Sequence, residues 1–134
     1  MIVLDASAII AILVSPEADQ DLITTTADDI CVPHLIDTEV LSVLRGLTLA
    51  RRLPIEHAER ARADYAELTM ARFDTPPLTD RIWQLRNNFT PYDATYIALA
   101  EVLECPLVTC DRKLVSTLHR AEVVVLPRHE AGTS

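Results

Sequence analysis

The sequence predicts an α/β domain built on a parallel sheet. Three observations carry that expectation. Ile2-Val3-Leu4-Asp5 is a short β-branched run ending in an acid and passing directly into a helical pattern. Leu107-Val108 is apolar without alternation, as a strand buried on both faces requires. Between these runs the apolar residues recur at helical rather than strand spacing, and alternation of the two patterns implies parallel strands joined by helices. A chain of 134 residues is expected to be a single domain over 1–134, with about 127–134 as a polar tail.

In chain order, the first strand is followed by a helix over Ala6 to Leu13. Ser15-Pro16 marks the start of a second helix reaching from Glu17 to Thr25. Ile30-Cys31-Val32 reads as a strand closed by Pro33. Leu35 to Leu53 is a long helix with Ile36, Val40, Val43, Leu44 and Leu47 on one face. Asp37 and Glu39 flank that stripe on opposite sides, so spacing alone does not say which of them enters a site. Arg51-Arg52-Leu53-Pro54 stops the helix, and Ile55 to Arg72 is expected to be its antiparallel partner, with exposed pairs Glu56/Arg60 and Glu59/Arg62. This hairpin carries more apolar surface than a short sheet needs, which points to a protein partner. Phe73 to Leu78 is extended, and Asp80 to Asn88 is read as a helix with Trp83 and Phe89 in the core. Thr90 is an N-cap, Pro91 suits the first helical position, and Asp93 completes a capping box. After the strand at Leu107, Asp111 to Leu118 reads as a short helix and Glu122 to Leu126 as the last strand.

Composition narrows the function classes. Only two glycines occur, which disfavours a glycine-rich phosphate loop. Cys31, Cys105 and Cys110 are an odd set without metal-binding spacing, so reduced thiols of a cytoplasmic protein are expected. The apolar N-terminus carries Asp5 and is too short to span a bilayer, so no membrane association is expected. A net charge of −8 opposes indiscriminate binding to nucleic acid but leaves room for a nucleic-acid enzyme whose acids hold metal. Of twelve basic residues, eleven are arginine.

Four acids stand out: Asp5, Glu39, Asp93 and Asp111. Each has an ordinary structural explanation, since Asp5 and Asp111 would cap the helices after them, Asp93 belongs to a capping box, and Glu39 is a helix residue in solvent. Their conjunction suggests more. If the strands before Asp5 and Asp111 are adjacent, their side chains converge at one rim of the sheet. Two carboxylates about 4 Å apart repel by roughly 4 kcal/mol at an effective dielectric near 20. Several together require bound protons or a counter-cation, and an oxygen-only set suits Mg2+ or Mn2+. The chemistry such a site performs is metal-assisted hydrolysis, most naturally of a phosphodiester. Ser7 and Thr109 would add hydroxyl contacts to substrate or metal-bound water, and Arg112 with Lys113 would hold substrate phosphate. The alternative for these four is ordinary structural polarity, with Arg112 and Lys113 at a solvated helix start.

Taken together, Val3-Leu4-Asp5-Ala6-Ser7, Glu39-Val40-Leu41, Tyr92-Asp93-Ala94-Thr95-Tyr96-Ile97-Ala98-Leu99-Ala100 and Leu107-Val108-Thr109-Cys110-Asp111-Arg112 resemble a PIN domain. The similarity is closest to the VapC-type toxins of bacterial type II toxin–antitoxin pairs. It implies a three-layer domain in which helices flank a short central parallel sheet and a helical hairpin protrudes. It further implies a Mg2+- or Mn2+-dependent endoribonuclease with Asp5, Glu39, Asp93 and Asp111 as its acidic site, which decides the Asp37/Glu39 question for Glu39. A homodimer is implied as well, together with a cognate antitoxin laid across the hairpin groove in a heterotetramer or larger assembly. Two glycines frequent in the family are replaced here, by Glu104-Cys105-Pro106 and by Arg120-Ala121-Glu122. Two other readings compete. A phosphatase of the haloacid-dehalogenase kind wants a second Asp where Ser7 stands. A non-catalytic binding module would use the acids only as caps.

Overall fold

A computed structural model describes residues 1–15 and 19–128. Five short strands form one sheet, β1 (Ile2–Leu4), β2 (Ile30–Pro33), β3 (Met70–Phe73), β4 (Leu107–Thr109) and β5 (Val123–Val125), in the order β3-β2-β1-β4-β5. All four pairings are parallel, with Val3 opposite Cys31 on one side and Leu107 on the other. The three central strands are buried along their whole length, which explains why Ile2-Val3-Leu4 and Leu107-Val108 show no alternation.

Helices α1 (Ala6–Val14), α2 (Gln20–Thr25), α3 (Leu35–Leu49), α4 (Ile55–Glu67), α5 (Thr79–Gln84) and α6 (Pro91–Leu103) connect the strands. Helix α6 lies against β1 and β2, α1 packs on β4, α3 and α4, and α5 packs on α6. From Ala94 to Ala100 every residue of α6 is buried, so this helix is a core element rather than an amphipathic cover. Ile9, Ile36, Val40, Ile97 and Leu107 are fully enclosed. Each such side chain contributes about 1.5–3 kcal/mol of transfer free energy.

Several expectations need correction. The helix expected over Ile55 to Arg72 ends at Glu67, and Met70–Phe73 is an edge strand pairing with β2. Its residues Met, Ala and Arg favour helix and follow a helical run, so only tertiary pairing reveals it. Helix α3 ends at Leu49 rather than Leu53, with Arg51 in the left-handed region at φ 59°. The helix expected over Asp80 to Asn88 runs only Thr79–Gln84. Asp111 to Leu118 contains a single 3-10 turn, Arg112–Leu114. Trp83 is not core: it is 66% exposed, with the Arg86 guanidinium 4.7 Å above its ring. Phe89 is buried as expected. The second helix begins at Gln20, capped by Asp19, and the Pro16–Glu17 part of its expected start lies outside the described residues, as does the tail from 129.

Hairpin α3/α4 does expose apolar surface, at Leu41, Val43, Leu49 and Ile55. Among the described residues no helix is long and apolar enough to cross a membrane. All three cysteines are free thiols.

Candidate active site

The chain leaves β1 toward β2 on one side and later returns to lay β4 on the other. The carboxyl ends of β1 and β4 are therefore a switch point, where parallel sheets present ligands. Asp5 follows β1 directly, and Asp111 lies two residues beyond β4.

Asp5 is 7% exposed and fully committed. Its Oδ1 accepts from Ser7 Oγ at 2.7 Å and from the Ala8 amide at 3.0 Å, capping α1, while its Oδ2 accepts from Thr109 Oγ1. The hydroxyls continue outward. Ser7 Oγ accepts the Cys110 amide and lies 3.2 Å from Thr109 Oγ1, which accepts the Asp111 amide. Ser7 and Thr109 thus lock a buried carboxylate and tie β4 to the start of α1. Burial pushes the Asp5 carboxyl above its ordinary value, the three donors oppose that push, and the Asp93 charge adds to it.

Glu39 enters from α3. Its Oε1 accepts from Tyr96 Oη at 2.5 Å, on the buried face of α6. Partial burial raises the Glu39 carboxyl, Tyr96 opposes the rise, and the charges of Asp93 and Asp5 reinforce it. Burial and the adjacent Glu39 carboxylate both push the Tyr96 phenol up, so Tyr96 stays a donor. Asp37 points elsewhere, forming a bidentate pair with Arg72 of β3 and accepting from Tyr65 Oη. Geometry therefore separates the two acids that spacing left undecided.

Asp93 sits in the first turn of α6, where Thr90 Oγ1 accepts its amide at 3.1 Å. Among the described hydrogen bonds the reciprocal half of the expected capping box is missing. The Asp93 carboxylate instead faces Lys113, with Nζ 3.6 Å from Asp93 Oδ2 and 3.3 Å from Asp111 Oδ2. Asp111 also caps the 3-10 turn by accepting the Lys113 amide at 3.0 Å. Hydrogen bonding to Asp111, helped by the Asp93 charge, raises the Lys113 ammonium. Lys113, expected either to hold substrate phosphate or to stand at a solvated helix start, instead bridges these two acids. The signal for this bridge was its position two residues after Asp111. Arg112 is exposed and forms no ion pair among the described residues.

All four acids thus share one electrostatic neighbourhood, yet they do not form a ready-made cage. Among the described residues, no three His, Cys, Asp or Glu side chains are close enough to hold a metal ion. The donor chemistry nevertheless fits a hard divalent cation: the set offers only oxygens, and an ammonium already stands between two of them. A hollow of about 680 Å3 is lined by Met1, Asp28, Asp29 and Cys31 at the opposite rim. Size is no guide here. The acids line an open edge, and the chemistry of the side chains marks the site.

Comparison with known proteins agrees with the fold and the motifs. The PIN domain family model matches residues 2–119. Ribonuclease VapC9 of Mycobacterium tuberculosis is 41% identical over 129 residues, covering 96% of this chain and 100% of that protein. Ribonuclease VapC12 of the same organism is 31% identical, covering 92% and 97%. Among solved structures, PAE2754 from Pyrobaculum aerophilum superposes with TM-score 0.65 at 21% identity, covering 91% of this chain and 81% of that one. The sarcin-ricin-loop-cleaving toxin VapC20 of M. tuberculosis superposes with TM-score 0.61 at 17% identity, covering 85% and 92%. With a family model spanning most of its length and curated relatives matched nearly end to end, this chain belongs to the PIN domain family, in its VapC-type branch.

Proposed function

We propose that the chain is a divalent-metal-dependent endoribonuclease, the toxin of a toxin–antitoxin pair, with Asp5, Glu39, Asp93 and Asp111 as its acidic centre. One observation carries this reading. Burial and the charge of Asp93 hold the Asp5 and Glu39 carboxyls above their ordinary values, while Asp93 and Asp111 share a cation. Capping accounts for the backbone hydrogen bonds of Asp5 and Asp111; it explains neither the placement of Glu39 nor the ammonium shared by Asp93 and Asp111. The names of the curated relatives support RNA as the substrate class.

The four acids would hold Mg2+ or Mn2+, which when bound supplies an activated water and compensates charge at the leaving oxygen. The chain's own groups do the rest. Ser7 and Thr109 fix the Asp5 rotamer, Tyr96 fixes Glu39, and Arg112 is free to receive a phosphate as a guanidinium fork. The exposed apolar face of α3/α4 suits an antitoxin segment, and a homodimer accords with the resemblance.

The test is incubation of the purified protein with single-stranded RNA and Mg2+, followed by mapping of the cut ends. Scission that needs Mg2+, stops with chelator and drops at least 100-fold in Asp5→Asn and Asp93→Asn is expected. Cleavage that persists undiminished in both variants would overturn the assignment.

A further inference from the structure

We propose that Lys113 is a tethered counter-ion of the acidic centre, which a divalent cation must displace in order to bind. The inference rests on the reading of the four acids given above and adds a residue that the resemblance does not supply. Two independent observations carry it. First, the Lys113 ammonium lies 3.3 Å from Asp111 Oδ2 and 3.6 Å from Asp93 Oδ2, between two acids of different elements. Second, Lys113 is the only lysine of the chain, against eleven arginines. The residue type matters at this place. An arginine would clamp a carboxylate through a planar two-point fork, whereas an ammonium is a compact, strongly hydrated point charge on a flexible stem. The lysine contacts are longer than a tight pair, and its side chain is 67% exposed, so withdrawal into water exposes no buried charge. A positive charge held there relieves repulsion between Asp93 and Asp111 when no metal is bound. It also competes with the ion for the same oxygens. Once displaced, the ammonium remains at the rim beside Arg112, where an incoming polyanion passes.

A single lysine gives the test a single reporter. Reductive 13C-methylation keeps the positive charge and labels only Lys113 and the Met1 amine, giving two resolvable signals. Titration with Mg2+ is expected to move the Lys113 signal, saturably, to the position of a solvated lysine, while the Met1 signal stays still. In calorimetry with Mn2+, Lys113→Met should bind the ion at least about threefold more tightly than the parent, and Lys113→Arg no more tightly than the parent. The Asp93→Asn variant separates the two levels of the argument. If it abolishes Mn2+ binding while the Lys113 signal of the parent never moves, or while Lys113→Met binds more weakly, displacement is wrong and the acidic centre stands. If Asp93→Asn binds Mn2+ as well as the parent, the ion lies elsewhere and both readings fall.

Discussion

Thr109 and Asp5 lie 104 positions apart in the chain and are joined by a hydrogen bond in which Thr109 Oγ1 donates to Asp5 Oδ2. The same hydroxyl accepts the Asp111 amide, so one threonine at the end of β4 orients one candidate acid and anchors the loop that carries another.

Thr109→Val keeps the shape of the side chain and removes both interactions. A buried carboxylate then loses a donor, which costs about 1.5–3 kcal/mol. Urea unfolding should show that loss in the midpoint without a change in slope. Ribonuclease activity should fall as Asp5 loses its fixed rotamer. Thr109→Ser should recover most of both. A valine variant as stable and active as the parent would show that this bond orients nothing.

Glu39 gives a stability test with a definite sign. Burial raises its carboxyl in the folded chain, so the folded state holds the proton to higher pH than the unfolded state. Above the raised value both states are ionised, and the folded state bears the full penalty. As pH falls through the interval between the raised and the ordinary value, the folded carboxyl is protonated first and the penalty disappears. Glu39→Gln, whose amide oxygen still accepts from Tyr96, should therefore be more stable than the parent at pH 7 in metal-free buffer. The gain should be no more than about 1 kcal/mol, because solvent screens the half-buried carboxyl. That advantage should shrink toward zero on acidification, while nuclease activity is lost at every pH. An unchanged melting temperature at pH 7 and a growing difference at lower pH would contradict it.

Much of this was legible in the residues, and the reasons differ from place to place. Asp5 was visible because it directly follows an apolar run and Asp111 because it lies just beyond another, and the structure seats those runs side by side. The central strands were readable because burial on both faces erases alternation, whereas edge strand β3 was not. Only Met70 and Phe73 of its four residues are partly sheltered, and its register comes wholly from β2. Trp83 misled for a related reason. An aromatic on a short helix reads as core, yet α5 ends at Gln84 and leaves the indole in solvent under Arg86. The Lys113 bridge joins the start of α6 to the turn after β4, and no periodicity encodes a contact between separate elements.

Asp37 is the internal control for Glu39, being two residues away on the same helix. Hydrogen bonding to Arg72 holds its carboxyl below the ordinary value, and Tyr65 assists. A lowered carboxyl stabilises the fold above the unfolded value, and this contribution is lost as pH falls through the folded one. Because the pair is partly exposed, solvent screening limits it, and Asp37→Asn should cost about 1 kcal/mol at pH 7. The cost should fade in acid. RNA cleavage should stay within twofold of the parent, in contrast to Glu39→Gln; a 100-fold drop would move Asp37 into the centre.

Glu104 occupies the left-handed region, at φ 52° and ψ 45°, as the residue that closes α6. This is the turn where the family resemblance leads one to expect glycine, and the backbone here adopts a conformation that glycine favours. A side chain with a Cβ is strained there. Glu104→Gly should raise stability by about 0.5–1 kcal/mol, less whatever the extra freedom of the unfolded chain removes. A drop in melting temperature would show that the Glu104 side chain makes a compensating contact.

The exposed face of the hairpin gives the prediction on partners. Leu41 of α3 and Ile55 of α4 are 50% and 58% exposed. Both line a shallow depression of about 170 Å3 with Leu44, Arg45, Thr48 and Ala58. Neither side chain supports the core, so replacing both with aspartate should leave the fold intact and stability within about 0.5 kcal/mol. If an antitoxin segment lies in this depression, two carboxylates would be forced out of water against its apolar residues. Affinity should then fall by at least tenfold, because residues at the centre of such a patch carry most of the binding free energy. The double variant should cleave RNA like the parent in the absence of antitoxin and continue to cleave it at antitoxin concentrations that silence the parent. Calorimetry of the purified pair is the direct measurement. An unaltered dissociation constant would place the antitoxin on another face and leave the apolar surface of α3 and α4 to a second copy of the chain.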